Sequence, residues 1–160
     1  MIEALKGSTL GQMLVAFLVS MVPVIELRGA IPIATGLGLD IYAAAVCAII
    51  GNIVPIPFVL IFCKRILAWL KEKSSFWRKC ADKLEGKALK KQDALRKGEI
   101  LGLILFVAIP LPGTGAYTGA LIAAVLGMRI KKALPSIAAG VFIAGVIITV
   151  VTRLGIAIFN

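Results

Sequence analysis

Outside residues 64–99 the chain carries only nine charged side chains in 124 positions: Lys6, Arg28, Arg129, Lys131, Lys132 and Arg153, with Glu3, Glu26 and Asp40. So few charges cannot clothe a soluble surface in hydrated groups. The other 36 residues hold 12 of the 18 Lys and Arg and five of the eight acids. The net charge of +10 therefore belongs to one basic segment attached to an apolar body. A nucleic-acid partner would need cations spread over a soluble face, so none is expected. Disorder goes with low hydrophobicity, and 60% of this chain is hydrophobic.

Length sorts the apolar runs. About 20 helical residues are needed to cross roughly 30 Å of hydrocarbon. Ile41–Cys63 has 23 residues and no charge, and Ala133–Phe159 has 27 with only Arg153 near its far end. Both are long enough to span. Four runs are short: Leu10–Ile25 (16), Gly29–Leu39 (11), Ile100–Pro110 (11) and Gly113–Met128 (16). The first two are joined by Glu26-Leu27-Arg28, the second two by Pro110-Leu111-Pro112-Gly113-Thr114-Gly115. Runs of about 10–14 residues suit re-entrant segments better than spans. The expected fold is an all-α integral membrane protein with two re-entrant helical hairpins, 10–39 and 100–128. Each is followed by one transmembrane helix, 41–63 and 133–159. Six tilted spans are the competing arrangement. Leu10–Ile25 follows Lys6 but ends in no small-residue cleavage site, so it reads as mature protein rather than a signal peptide.

An internal repeat favours the hairpins. Residues 14–51 moved by 89 positions fall on 103–140 with ten identities in 38, among them Pro23/Pro112, Gly38/Gly127 and Gly51/Gly140. Chance in so apolar a sequence gives roughly 4. One crossing per half inverts the second repeat (100–160) relative to the first (1–63), a recurrent transporter layout. That layout gathers 64–99 with Arg129, Lys131 and Lys132 on one side, 15 cations in all. By the positive-inside rule that side is cytoplasmic and both termini are outside, in a multi-pass protein of the inner (cytoplasmic) membrane. Within 64–99, Phe76, Trp77, Cys80, Ala81, Leu84, Ala88 and Leu95 recur at a spacing of three to four among Lys and Arg. This reads as a basic amphipathic helical segment suited to an anionic lipid surface. A partner helix or a solvated connector are the other readings.

The chemistry sits at the two breaks. Glu26 and Arg28 stand within apolar sequence, where a charge is costly and by default marks function. One reading makes Glu26 a proton-coupling carboxylate, with Arg28 its counter-ion or the binder of an anionic substrate. The other makes them a structural ion pair closing the turn. Gly29 and Pro32 complete the motif ELRGAIP as structural residues. The second break, PLPGTGAYTGA, lacks two backbone donors at Pro110 and Pro112 and can turn tightly at Gly113 and Gly115. Thr114 is placed to cap a helix starting near Gly115, whose N-terminal N–H groups would attract an anion. A compact turn with Gly115 and Gly119 as a packing face is the alternative. Tyr117 reads as pore lining or as interfacial packing. Asn52, beside the helix-interrupting Pro55 and Pro57, is a candidate hydrogen-bond partner of the first tip, or glue between helices.

Other chemistry has little support. The chain has no His, hence no His-based triad and no His-ligated metal. Cys47, Cys63 and Cys80 lack CxxC spacing, and Gly86-Lys87 is followed by Ala88 rather than the Ser or Thr of a phosphate loop. The sequence points away from an enzyme and to no catalytic residue, cofactor or metal.

ELRGAIP (Glu26–Pro32) and PLPGTGAYTGALIA (Pro110–Ala123), in this order and spacing, make the chain resemble the small multi-drug export proteins of bacteria and archaea over nearly its whole length. That resemblance implies a transporter. The distant similarity of that family to the DedA/VTT membrane proteins implies paired re-entrant hairpins and a second function, translocation or scrambling of phospholipid or polyprenyl-phosphate. The expected function is a small exporter with a midplane site between the hairpins, proton-coupled through Glu26. The alternatives are the lipid translocase and a membrane scaffold acting through 64–99. Membrane lipids and a small-molecule or lipid-phosphate substrate are the expected partners, and a homodimer is expected because each half is small.

Overall fold

The computed structural model describes residues 8–73, 92–111 and 113–159. Pro112 and the 74–91 part of the basic segment, with Phe76, Trp77, Cys80, Ala81, Leu84 and Ala88, lie outside the described residues. Every regular element among those described is a helix: α1 (Thr9–Ser20), α2 (Glu26–Gly36), α3 (Ile41–Ile53), α4 (Ile56–Lys73), α5 (Gln92–Ala108), α6 (Ala116–Val125) and α7 (Ile130–Phe159). The described ends of the basic segment continue α4 and begin α5.

Helix length divides the molecule into two kinds of part. α3 and α4 follow one another across a break at Val54-Pro55, where Pro55 has no N–H to offer the Gly51 carbonyl. Together they form the apolar stretch Ile41–Trp69, and α7 supplies Ile130–Ile158. Each has 29 residues and is long and apolar enough to cross a membrane, reaching roughly 43 Å at 1.5 Å per residue. α1, α2 and α6 have 12, 11 and 10 residues. They reach only about 15–18 Å, near half the apolar thickness of a bilayer.

The turn between α1 and α2 is Met21–Ile25, not the polar triplet Glu26-Leu27-Arg28 that the sequence suggests. Those three residues form the first turn of α2. Pro23 is the physical reason: it has no amide to continue α1 and disfavours the helical conformation of the residue before it. Because Val-Pro-Val-Ile is apolar, hydropathy alone does not reveal this break. α2 and α6 end alike. Gly38 and Gly127 take φ of 99° and 68°, and the amides of Leu39 and Met128 return to the carbonyls of Ala34 and Ala123 at 3.1 and 2.9 Å. This is the Schellman closure that glycine's permissive backbone allows. Asp40 then opens α3, its Oδ2 accepting from the N–H groups of Tyr42 and Ala43 at 3.0 and 3.1 Å.

α1 packs on α2 and α3, and α5 on α6 and α7. α3 lies against α7, α2 crosses to α7, and α6 crosses to α4. Small residues fill the interfaces. Ala30, Ala34, Ala48, Ala116, Ala120 and Ala123 are fully buried. A Cβ on Gly51 would stand 2.3 Å from the Phe17 carbonyl oxygen, and one on Gly140 2.8 Å from that of Ile104. Large apolar side chains lie outside, including Leu14, Leu18, Phe58, Phe62, Leu105 and Phe142. Leu27, Ile31, Ile56, Leu60 and Ile137, by contrast, are buried among the small residues. Small residues at the closest approaches and many large apolar residues outside suit a hydrocarbon solvent, in which close backbone approach drives helix association.

Side-chain contacts show which ends share a face. The Lys64 ammonium donates to the Met128 carbonyl, which brings α4 to the turn carrying Arg129, Lys131 and Lys132. At the other end Gln12 Nε2 donates to the Leu37 carbonyl at 2.8 Å, and Arg153 Nη1 donates to Tyr42 Oη at 2.7 Å.

Candidate functional site

The turn ends of the two helical hairpins, α1–α2 and α5–α6, meet, and the first residue of α2 carries the central contact. Glu26 is only 6% exposed. Its φ is 51°, in the left-handed region that costs a non-glycine residue roughly 1–2 kcal/mol. The other hairpin supplies what holds it there. The carboxylate lies so close to Gly115 that a Cβ on that residue would be 2.3 Å from Oε2 and 2.5 Å from Oε1. It accepts from the backbone N–H groups of Ala116 and Tyr117. The first amides of a helix have no intrahelical partner and carry the positive end of its dipole. Glu26 therefore caps a helix from the other half of the chain. Gly115 is the N-cap residue of α6, and the nearness of the carboxylate is what excludes a side chain there.

Thr114 does not cap α6. Its Oγ1 lies 2.7 Å from the Ile109 carbonyl oxygen and 2.9 Å from that of Leu111, so its hydroxyl closes the turn behind it, while the Glu26 carboxylate occupies the helix end. The same Oγ1 accepts from Arg28 Nη2 at 3.0 Å. Arg28 also donates through Nη1 to the Leu111 carbonyl and through Nη2 to that of Ile109 at 3.2 Å. The terminal carbonyls of a helix need outside donors, and this guanidinium serves the end of α5. Its hydrogen bonds go to the second hairpin rather than to Glu26, with which it interacts through space. Its Nε is buried without a partner among the described residues.

Tyr117 answers from the other side. Its hydroxyl donates to the carbonyl of Met21, just past the end of α1. Asn52 is fully buried on α3, but neither Nδ2 nor Oδ1 has a hydrogen-bond partner among the described residues. The expected bond from Asn52 to the first tip is thus not made. Gly29 faces Ile25, whose Cγ2 would stand 2.4 Å from a Cβ there. Pro32 lies inside α2 and leaves the Arg28 carbonyl without an intrahelical donor. Pro110 follows the end of α5, and Gly113 takes φ 84° in the second turn. At Gly119 a Cβ would stand 2.6 Å from Cγ2 of Val107.

Sequence reasoning misses the backbone acceptors Met21, Ile109 and Leu111, because a carbonyl leaves no mark on residue identity. A signal was present in the numbering. Glu26 and Gly115 are 89 positions apart, as are Arg28 and Tyr117. Among the described residues no group of three His, Cys, Asp or Glu side chains comes together as a metal site.

Two long apolar stretches, several short apolar helices and a buried polar contact where two hairpins meet are the features of a small helical membrane protein. Residues 26–147 match the family described as "Putative small multi-drug export protein", and the chain belongs to that family. The description is one of export rather than catalysis. No curated protein and no solved structure matches the chain.

Proposed function

We propose that the protein is a proton-coupled exporter built from two inverted repeats. In this reading α1–α2 and α5–α6 are re-entrant hairpins whose tips meet near the bilayer midplane, and α3–α4 and α7 are the spans. Several features support the inversion. The 89-residue offset carries α2 onto α6 and the first residue of α3 onto that of α7. It also relates the two Schellman closures, and it relates the packing of α6 on α4 to that of α2 on α7. The face bearing Lys64, Arg129, Lys131 and Lys132 is cytoplasmic under the positive-inside rule, with both termini outside.

The observation that carries the function is the Glu26 carboxylate on the N-terminus of α6. An ionised carboxylate offers a full charge to two backbone N–H groups and the helix dipole, whereas a protonated one offers much less. Protonation of Glu26 removes the full charge from this contact, so proton binding and the contact between the tips are linked, which ties proton movement to the state of the site.

The test is flux in proteoliposomes under an imposed pH gradient, with ethidium as the transported probe. Glu26→Gln abolishes gradient-driven flux while the protein remains monodisperse. Unchanged flux removes Glu26 from the mechanism. A second reading, translocation of phosphate-bearing lipid headgroups, draws on one feature: the Arg28 charge is not closed by a hydrogen-bonded ion pair with Glu26. It predicts gradient-independent exchange of a fluorescent phospholipid that depends on Arg28.

A further inference from the structure

The two tips are tied by a reciprocal pair of side-chain bonds. Arg28 of α2 reaches the Ile109 and Leu111 carbonyls just past α5. Tyr117 of α6 reaches the Met21 carbonyl just past α1. Arg28 and Tyr117 are 89 residues apart, and Met21 moved by 89 falls on Pro110, between the two acceptors of Arg28. Each hairpin's second helix thus secures the end of the other hairpin's first helix, from the same place in the repeat. Between these two ties Glu26 touches Gly115, again 89 residues apart. Two equivalent residues in contact must flank the axis that relates the halves. The axis therefore passes through the Glu26–Gly115 contact, with one tie on either side of it.

We infer that Arg28 and Tyr117 are the two bolts of an alternating gate, each closing the tip site toward a different face of the membrane. The inference rests on the inverted-repeat reading above. An axis lying in the membrane plane exchanges the two faces, so ties related by it sit at opposite depths. The bolts are unequal. Arg28 makes three bonds from a charged group, including one to Thr114 Oγ1 at 3.0 Å, whereas Tyr117 makes one neutral bond. Charged hydrogen bonds are the stronger kind, so the Tyr117 side opens more readily.

The test places single reporter cysteines at Met21 and at Leu111 in a background where Cys47, Cys63 and Cys80 are serine. Labelling by a membrane-impermeant maleimide is timed in right-side-out and in inverted vesicles. Tyr117→Phe raises labelling from one face by about fivefold. Arg28→Gln raises it from the opposite face by about tenfold or more. Arg28→Lys, which keeps the charge but loses the two-pronged fork, gives a smaller rise on the same face as Arg28→Gln and serves if the glutamine variant does not fold. Rises on the same face, or none in variants that fold, overturn the gate. Wild-type reporters that react at the rate of a free thiol from bulk water fail the midplane reading itself, a separate result.

Discussion

The two hairpin tips have the same scaffold and opposite chemistry. The first carries charged side chains, Glu26 and Arg28, at the start of α2, just past an apolar turn. The second has no charge between Pro110 and Gly119, and offers backbone: the N–H groups of Ala116 and Tyr117, and the carbonyls of Ile109 and Leu111. Each charge of the first tip is met by backbone groups of the second, and only the Tyr117 hydroxyl returns the favour at Met21. The difference shows how a short helix can end away from water. Unpaired backbone groups in hydrocarbon cost several kcal/mol each. Here one hairpin leaves helix ends unpaired and the other brings the charges that pair them. Neither tip is complete alone.

The largest effect that separates the tips lies where they touch. Gly115→Ala puts a methyl into the space of the Glu26 carboxylate and is expected to cost about 2 kcal/mol, as overpacking of a close contact does. In a Glu26→Ala background the same change is expected to cost less than about 0.5 kcal/mol, because the obstacle is gone. Thermal unfolding of the two single variants and the double variant measures this coupling. Additive costs would mean that the glycine is needed for a reason other than the carboxylate. A smaller effect tests how alike the halves are away from the tips. Gly38→Ala and Gly127→Ala each force a left-handed residue and should each lose about 1 kcal/mol. Values differing by more than about 0.5 kcal/mol would show that the two closures do not bear equal load.

Much of the architecture is written in the lengths of the apolar runs. The apolar stretches Ile41–Cys63 and Ala133–Phe159 nearly coincide with parts of the two long apolar segments of the structure, and the shorter runs supply the shorter helices and the turns between them. Gly38 and Gly127 are readable as a pair because positive φ selects for glycine. The site is less legible. Glu26 and Arg28 stand out as charges, but their partners are peptide groups, which every residue possesses. The first turn is hidden because Val22, Val24 and Ile25 are as apolar as the helices they join, and only Pro23 marks it. Thr114 has the residue type of a helix cap, yet a carboxylate from 88 residues earlier takes that place. No local pattern carries information of that range. The same holds for Asn52, whose burial without a partner among the described residues depends on how three-dimensional neighbours fall around it.

The central claim is that the tips meet within the hydrocarbon, and depth measures it most directly. Spin labels at Val24, which is 92% exposed, and at Leu111 can be read in lipid nanodiscs against oxygen and a water-soluble nickel chelate. The account predicts that oxygen reaches both labels far better than nickel does and that both lie near the bilayer centre, close to the midplane on either side of it. Nickel access like that of a label in bulk water at either position, or depths placing the two labels at opposite surfaces, would contradict it.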